Sequence, residues 1–229
     1  MMLLDFYSRE GKINKMQQRI NDNLKLAKEA GRLAVLNHEE RCVAVIETLK
    51  KYRHSFRKGS GQQYLCLIDA IGFGVLYDLD ITTLQAQVMY AETSWPQNLN
   101  GRLLAMTIWE CINDLPKLCG REFREAVAEL TFADDLRGKL GIILKEMNKF
   151  KIRNQSSLTD IRNNVAAHRD HDLENFFSGL KKADPKQLCD LARSLSRLLG
   201  DFEAAMLDVL RQAHQLTKFA RVIATLKPS

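Results

Sequence analysis

Asp184-Pro-Lys-Gln-Leu-Cys-Asp-Leu-Ala-Arg-Ser-Leu-Ser-Arg-Leu-Leu-Gly-Asp-Phe-Glu-Ala-Ala-Met-Leu-Asp-Val209 carries the cleanest periodicity in the chain. Leu188, Leu191, Leu195, Leu198, Phe202, Met206 and Val209 recur at intervals of three and four. That spacing lines one face of an α-helix. Asp184 and Pro185 supply its start: a short acceptor side chain for the unpaired N–H groups of the first turn, and a ring whose fixed φ suits the first helical position. Nothing elsewhere alternates apolar and polar residues as a half-buried strand does, so the expected fold class is all-α, a helical bundle.

Working outward from this helix, residues 8–57 show a helical pattern through Ile13, Met16, Ile20, Leu24, Leu33, Leu36, Val43, Ile46 and Leu49, with Gly31 and Asn37-His38 as interruptions. Large apolar residues are sparse early in that stretch, which predicts a helical extension, arm-like or coiled-coil-like, rather than core. Arg53-His-Ser-Phe-Arg-Lys-Gly-Ser-Gly61 reads as a basic linker. The predicted division is a basic helical extension over 1–59 and a bundle over 60–229.

A buried helix follows over 62–92, with a break near 78–80. Ser94-Trp-Pro-Gln-Asn-Leu-Asn-Gly101 reads as a loop, and a helix from there to 118 carries Leu104, Ile108, Cys111 and Leu115, with Pro116 ending or kinking it. Gly120 opens another helix to about 150, with a break at Gly138. Ser157-Leu-Thr-Asp160 has the spacing of a capping box and predicts the start of a short helix there.

The net charge of +6 is unevenly distributed. Residues 1–59 hold 13 basic and 7 acidic side chains, residues 60–135 hold 4 and 11, and residues 136–229 hold 17 and 10. An acidic middle between basic ends suits self-association or a face for a polyanion, against the plainer reading of solvated helix faces. The five cysteines Cys42, Cys66, Cys111, Cys119 and Cys189 are scattered and form no Cys-x-x-Cys pair, which predicts reduced thiols and a cytoplasmic chain. Met1-Met-Leu-Leu4 runs at once into Asp5, Arg9 and Glu10, so no leader is expected, and the apolar run 64–79 is too short to span a bilayer. No membrane association and no cofactor are expected. Gly72-Phe-Gly74 lacks the strand and later glycine of a dinucleotide loop, and no nucleophile-elbow motif occurs.

The chemistry-bearing stretch is Asp160-Ile-Arg-Asn-Asn-Val-Ala-Ala-His-Arg-Asp-His-Asp172. Arg162 keeps its charge at any relevant pH and offers a planar fork of donors suited to phosphate, while His168 gains and loses a proton near neutrality. The stretch resembles the Arg-x(4-6)-His signature of the HEPN superfamily, including the polar residue, Asn163, directly after the arginine. Upstream, residues 102–110 and 120–123 resemble helices that precede the motif in HEPN-like families of abortive-infection type. The resemblance spans about 60–225, with its sharpness confined to the motif. It implies an all-helical, commonly dimeric domain, whose catalytic members are metal-independent endoribonucleases of toxin–antitoxin or phage-defence systems. The partners it implies are RNA, a second copy of the chain, and an antitoxin or other inhibitor protein.

For RNA cleavage His168 would serve as general base or acid, Arg162 would hold the phosphate and stabilise developing charge, and Asn163 would orient either. In one straight helix Arg162 and His168 would point about 120° apart and sit about 9 Å apart along the axis. The helix must therefore break between them, or two motifs must face each other across a dimer. Other readings compete. His168 also extends the apolar stripe of Ile161 and Val165 as a structural histidine, and Arg162 can pair with Asp160 or Glu174. His168, His171 and Asp172 can be read as metal ligands. Glu110 is a candidate supporting carboxylate, Met147-Asn-Lys-Phe-Lys-Ile-Arg153 a candidate phosphate track, and His38, His54 and His214 read as surface. From a different class come a non-catalytic interaction module and a plain structural bundle.

Overall fold

The computed structural model describes residues 2–58, 61–130, 134–163 and 184–226, and every regular element among them is helical. The order is α1 (Met2–Arg57), a short 3₁₀ turn (Gln62–Tyr64), α2 (Leu65–Met89), α3 (Ser94–Leu118), α4 (Arg121–Ala128), α5 (Asp134–Ile161) and α6 (Pro185–Leu226). The all-α bundle expected from periodicity is what the chain forms. No helix among the described residues is long and apolar enough to cross a membrane.

Two compact units divide the chain, Met1–His38 and Glu39–Ser229. The first is helical, and its large apolar side chains Met16, Ile20, Leu24, Leu26 and Leu33 are exposed. The second contains the core, which already includes Cys42, Leu49 and Phe56. The division therefore falls about 20 residues before the expected boundary at 59/60. Residues 53–57 are helix rather than linker. Phe56, fully buried between basic neighbours, packs against Tyr52, Tyr64 and His214.

α2 is the centre of the second unit. It is apolar on nearly every side, and α3 and α6 both lie against it. The break expected near 78–80 does not occur. Asp78 is buried, and Arg41 approaches its carboxylate at 3.8 Å, so a charge read as an interruption is held inside the helix instead. Gly74 permits the approach of α6: a Cβ there would sit 3.3 Å from two ring carbons of Phe202, tighter than ordinary van der Waals contact.

α6 begins as its sequence predicts. The Asp184 carboxylate accepts a hydrogen bond from the Lys186 backbone N–H at 3.0 Å, satisfying one of the unpaired donors of the first turn. Its buried face is Leu188, Ala192, Leu195, Leu199, Phe202, Met206, Val209 and Ala213. Leu191 and Leu198 flank that face half-buried, while Ala192 and Leu199 beside them are fully buried.

Three other expectations are corrected. Residues 94–101 are the first turns of α3 and not a loop; Pro96 lies in the first turn, where its missing N–H costs no intrahelical bond. The helix expected over 120–150 is two helices, and Arg137 closes the gap by donating to the Leu130 carbonyl at 3.2 Å, to the Val127 carbonyl at 3.4 Å and to that of Ala128. A guanidinium on the last carbonyls of α4 both satisfies them and opposes the helix dipole. Ser157-Leu-Thr-Asp160 starts nothing: α5 runs through it, because buried Leu158 and Ile161 continue the apolar period.

Candidate functional site

The end of α5 lies against the middle of α3, and this contact brings Arg162 to Trp109. The apolar stripe of α3 is Leu104, Ile108, Cys111, Ile112 and Leu115. Trp109 flanks that stripe, so its ring body rests against the core while part of it reaches the surface. The indole N–H donates to Thr159 Oγ1 at 3.0 Å. The carbonyl of Trp109 accepts a hydrogen bond from the Asn113 side-chain amide at 2.7 Å. Both the ring and the backbone that carries it are thereby tied down.

Beyond Ile161 the helix widens into a π turn at Arg162 and Asn163. Such turns are uncommon and recur at functional sites. Here Arg162 Cζ lies 4.3 Å from the centroid of the Trp109 ring, inside the range of a cation–π contact. Its Nη1 donates to Asn163 Oδ1 at 3.2 Å. Asn163 is exposed, and with its oxygen on the arginine its amide N–H₂ is left for another acceptor. Asp160 forms no ion pair with Arg162, and among the described residues no carboxylate does. The straight helix assumed for the 120° separation ends at Ile161.

His168, His171, Asp172 and Glu174 lie outside the described residues, and with them the general-base assignment and the metal reading. Glu110 is exposed on α3 and makes no ion pair among the described residues. Asp114, one turn along, holds Lys117 at 2.7 Å and receives the Tyr77 hydroxyl at 3.4 Å; burial first, then the Asp114 charge, pushes that phenol above its ordinary range. The basic run 147–153 loses its aromatic: Phe150 and Met147 are core residues, and Lys149 is paired with Glu146 at 2.6 Å. His54 is exposed as expected. His38 and His214 are half-buried, and His214 stands against Tyr52 at 5.1 Å between ring centroids, so it closes core rather than lying on the surface.

All five cysteines are free. Burial pushes Cys119 up to about 12 and raises Cys66, Cys111 and Cys189 as well, so all four stay protonated and weakly nucleophilic near neutrality.

Trp109 and Thr159 are the residues that sequence reasoning missed. The available signal was an indole one position off the apolar stripe of its helix, a placement that leaves part of the ring uncovered. The chain matches no family model, and no curated protein or solved structure is significantly similar to it.

Proposed function

We propose that this chain acts on RNA as a HEPN-type, metal-independent endoribonuclease of the toxin or phage-defence kind, with Arg162, Asn163 and His168 at its centre. The observation that carries the reading is Arg162: a guanidinium with its face against Trp109, no carboxylate partner among the described residues, and a polar amide beside it. Arginine held this way suits a phosphodiester, which takes two parallel N–H donors in the plane of the guanidinium.

In this reading the 2′-OH of a ribose attacks the adjacent phosphorus and the 5′-oxygen of the next nucleotide leaves. One histidine takes the 2′-OH proton and a proton is returned to the 5′-oxygen, while Arg162 stabilises charge on the non-bridging oxygens. The products are a 2′,3′-cyclic phosphate and a 5′-hydroxyl. DNA, lacking the nucleophile, is not cut. A homodimer would set two copies of the motif face to face, so that each cut uses groups from both, and an inhibitor protein covering the motif would silence it. Free thiols suit a reducing, cytoplasmic setting.

The test is incubation with end-labelled RNA in excess EDTA. Cleavage that persists, leaves cyclic phosphate ends and spares a 2′-O-methylated strand is the expected result. Cleavage that stops in EDTA and returns with zinc or manganese would overturn the metal-independent chemistry. Binding without cleavage would reduce the site to RNA recognition.

A further inference from the structure

Beyond the motif itself, we propose that Trp109 is a positioning residue for phosphate recognition: its indole face, locked by Thr159, holds the Arg162 guanidinium so that its in-plane donors are presented to an RNA phosphodiester. This inference rests on the reading of function given above.

An arginine at a helix end has a long side chain with many rotamers to lose on being fixed. Fixing it through a carboxylate would occupy the donors a phosphate needs and offset the charge that attracts one. A π face does neither. The cation–π contact at 4.3 Å engages the flat of the guanidinium and leaves its edges for hydrogen bonds. Only Nη1 has a partner among the described residues, Asn163 Oδ1, and that bond lies at the edge of the group and restrains rotation in its plane. Face and edge are thus restrained by different neighbours.

The holder is itself held. The Trp109 N–H is bound by Thr159, which stands in the last turn of α5, three residues before Arg162 in sequence, and both side chains meet the same indole. The end of α5 supplies the lock for the ring, and the π turn that follows it directly supplies the cation that lies on it. Small displacements at a reacting centre cost large factors in rate, so a ring that fixes a phosphate-binding group acts on chemistry without touching the substrate.

The experiment uses the full chain carrying Trp95→Phe, which leaves Trp109 as the sole tryptophan. Arg162→Ala is expected to change Trp109 emission with no RNA present, which tests the stack alone. Affinity for a fluorescent single-stranded RNA in EDTA, and the single-turnover cleavage rate, are then compared across variants. Trp109→Leu and Thr159→Val are expected to lose about 5- to 30-fold, the factor a partly desolvated cation–π contact supplies, with melting temperatures near the parent's. Trp109→Tyr keeps an aromatic face and is expected to recover part of that loss, which a purely space-filling role would not produce. If Arg162→Ala loses RNA and Trp109→Leu stays within twofold of the parent, the positioning role falls and the functional reading stands. If Arg162→Ala itself binds and cuts RNA like the parent, the functional reading falls and this proposal falls with it.

Discussion

Two aromatic clusters in the unit 39–229 use the same ring chemistry to opposite ends. In the first, Tyr52, Phe56, Tyr64 and His214 face one another with centroids 5.1–6.3 Å apart, and Phe56 at the centre is fully buried. Rings meet rings, and the cluster joins α1, the turn before α2, and α6. In the second, the ring of Trp109 meets a cation instead of another ring, and Arg162 and Asn163 keep polar groups at the surface. A closed cluster stabilises through burial and contact. An open one contributes little to stability and leaves donors available for a ligand.

The largest effect belongs at the centre of the closed cluster. Phe56→Ala is expected to cost about 3–5 kcal/mol, since it removes a fully buried ring and leaves a cavity between two helices and the turn. Urea unfolding would show it as a lower midpoint at unchanged slope, and a loss under 1 kcal/mol would mean the cluster is not core.

Next comes Gly61→Ala. A Cβ there would stand 2.9 Å from Phe56 Cδ1 and 3.1 Å from Thr217 Oγ1, and neither neighbour is at the free end of a flexible chain. Overpacking of this kind costs about 1–3 kcal/mol. The φ of −104° at Gly61 suits any residue, so the cost would come from crowding alone. A thermal midpoint equal to the parent's would show that the ring yields.

A smaller effect follows from keeping charge out of the core. Burial raises the Cys119 thiol from 9.0 to about 12. A group whose folded value is raised contributes stability that is intact below its unfolded value and is lost as pH climbs towards the folded one. Stability should therefore fall between pH 9 and 12, by up to about 1.4 kcal/mol per pH unit for each such thiol. Cys111, raised first by burial and then by Asp78 and Asp114, acts in the same direction. Unfolding midpoints at pH 8 and 10 check this. Cys119→Ala should flatten the pH dependence whatever it does to the midpoint at pH 8, and an unchanged slope would contradict the assignment.

The smallest stability effect is expected in the open cluster. Arg162→Ala should cost about 0.5–1 kcal/mol or less, the worth of a half-exposed cation–π contact. A loss above 2 kcal/mol would make Arg162 a structural residue and erase the distinction between the clusters.

The sequence disclosed α6 best, because an uninterrupted apolar period and an Asp-Pro start are local signals. Even there the fully buried face runs through Ala192 and Leu199, with Leu191 and Leu198 only half-buried beside it. Polarity misled in three places. Asp78 reads as a break yet is buried near Arg41; Phe56 is hidden among Arg53, Arg57 and Lys58; Ser157 and Asp160 mimic a cap inside a continuing helix. Each error treats a residue's own polarity as its environment, when tertiary contacts supply the environment. Arg162 and Asn163 were legible as part of a motif with His168, which lies outside the described residues. Trp109 and Thr159 were not, because the contact joins two helices far apart in sequence and only packing brings them together.

The most direct test of the account compares end-labelled RNA with the parent chain and with Arg162→Ala, in excess EDTA, at a temperature where both are folded. The account predicts cleavage to cyclic phosphate ends by the parent. It predicts loss of about 10² or more in rate for the variant, as when a group that stabilises transition-state charge is removed. A variant that cuts within a few-fold of the parent, or a parent that neither binds nor cuts RNA, would contradict it.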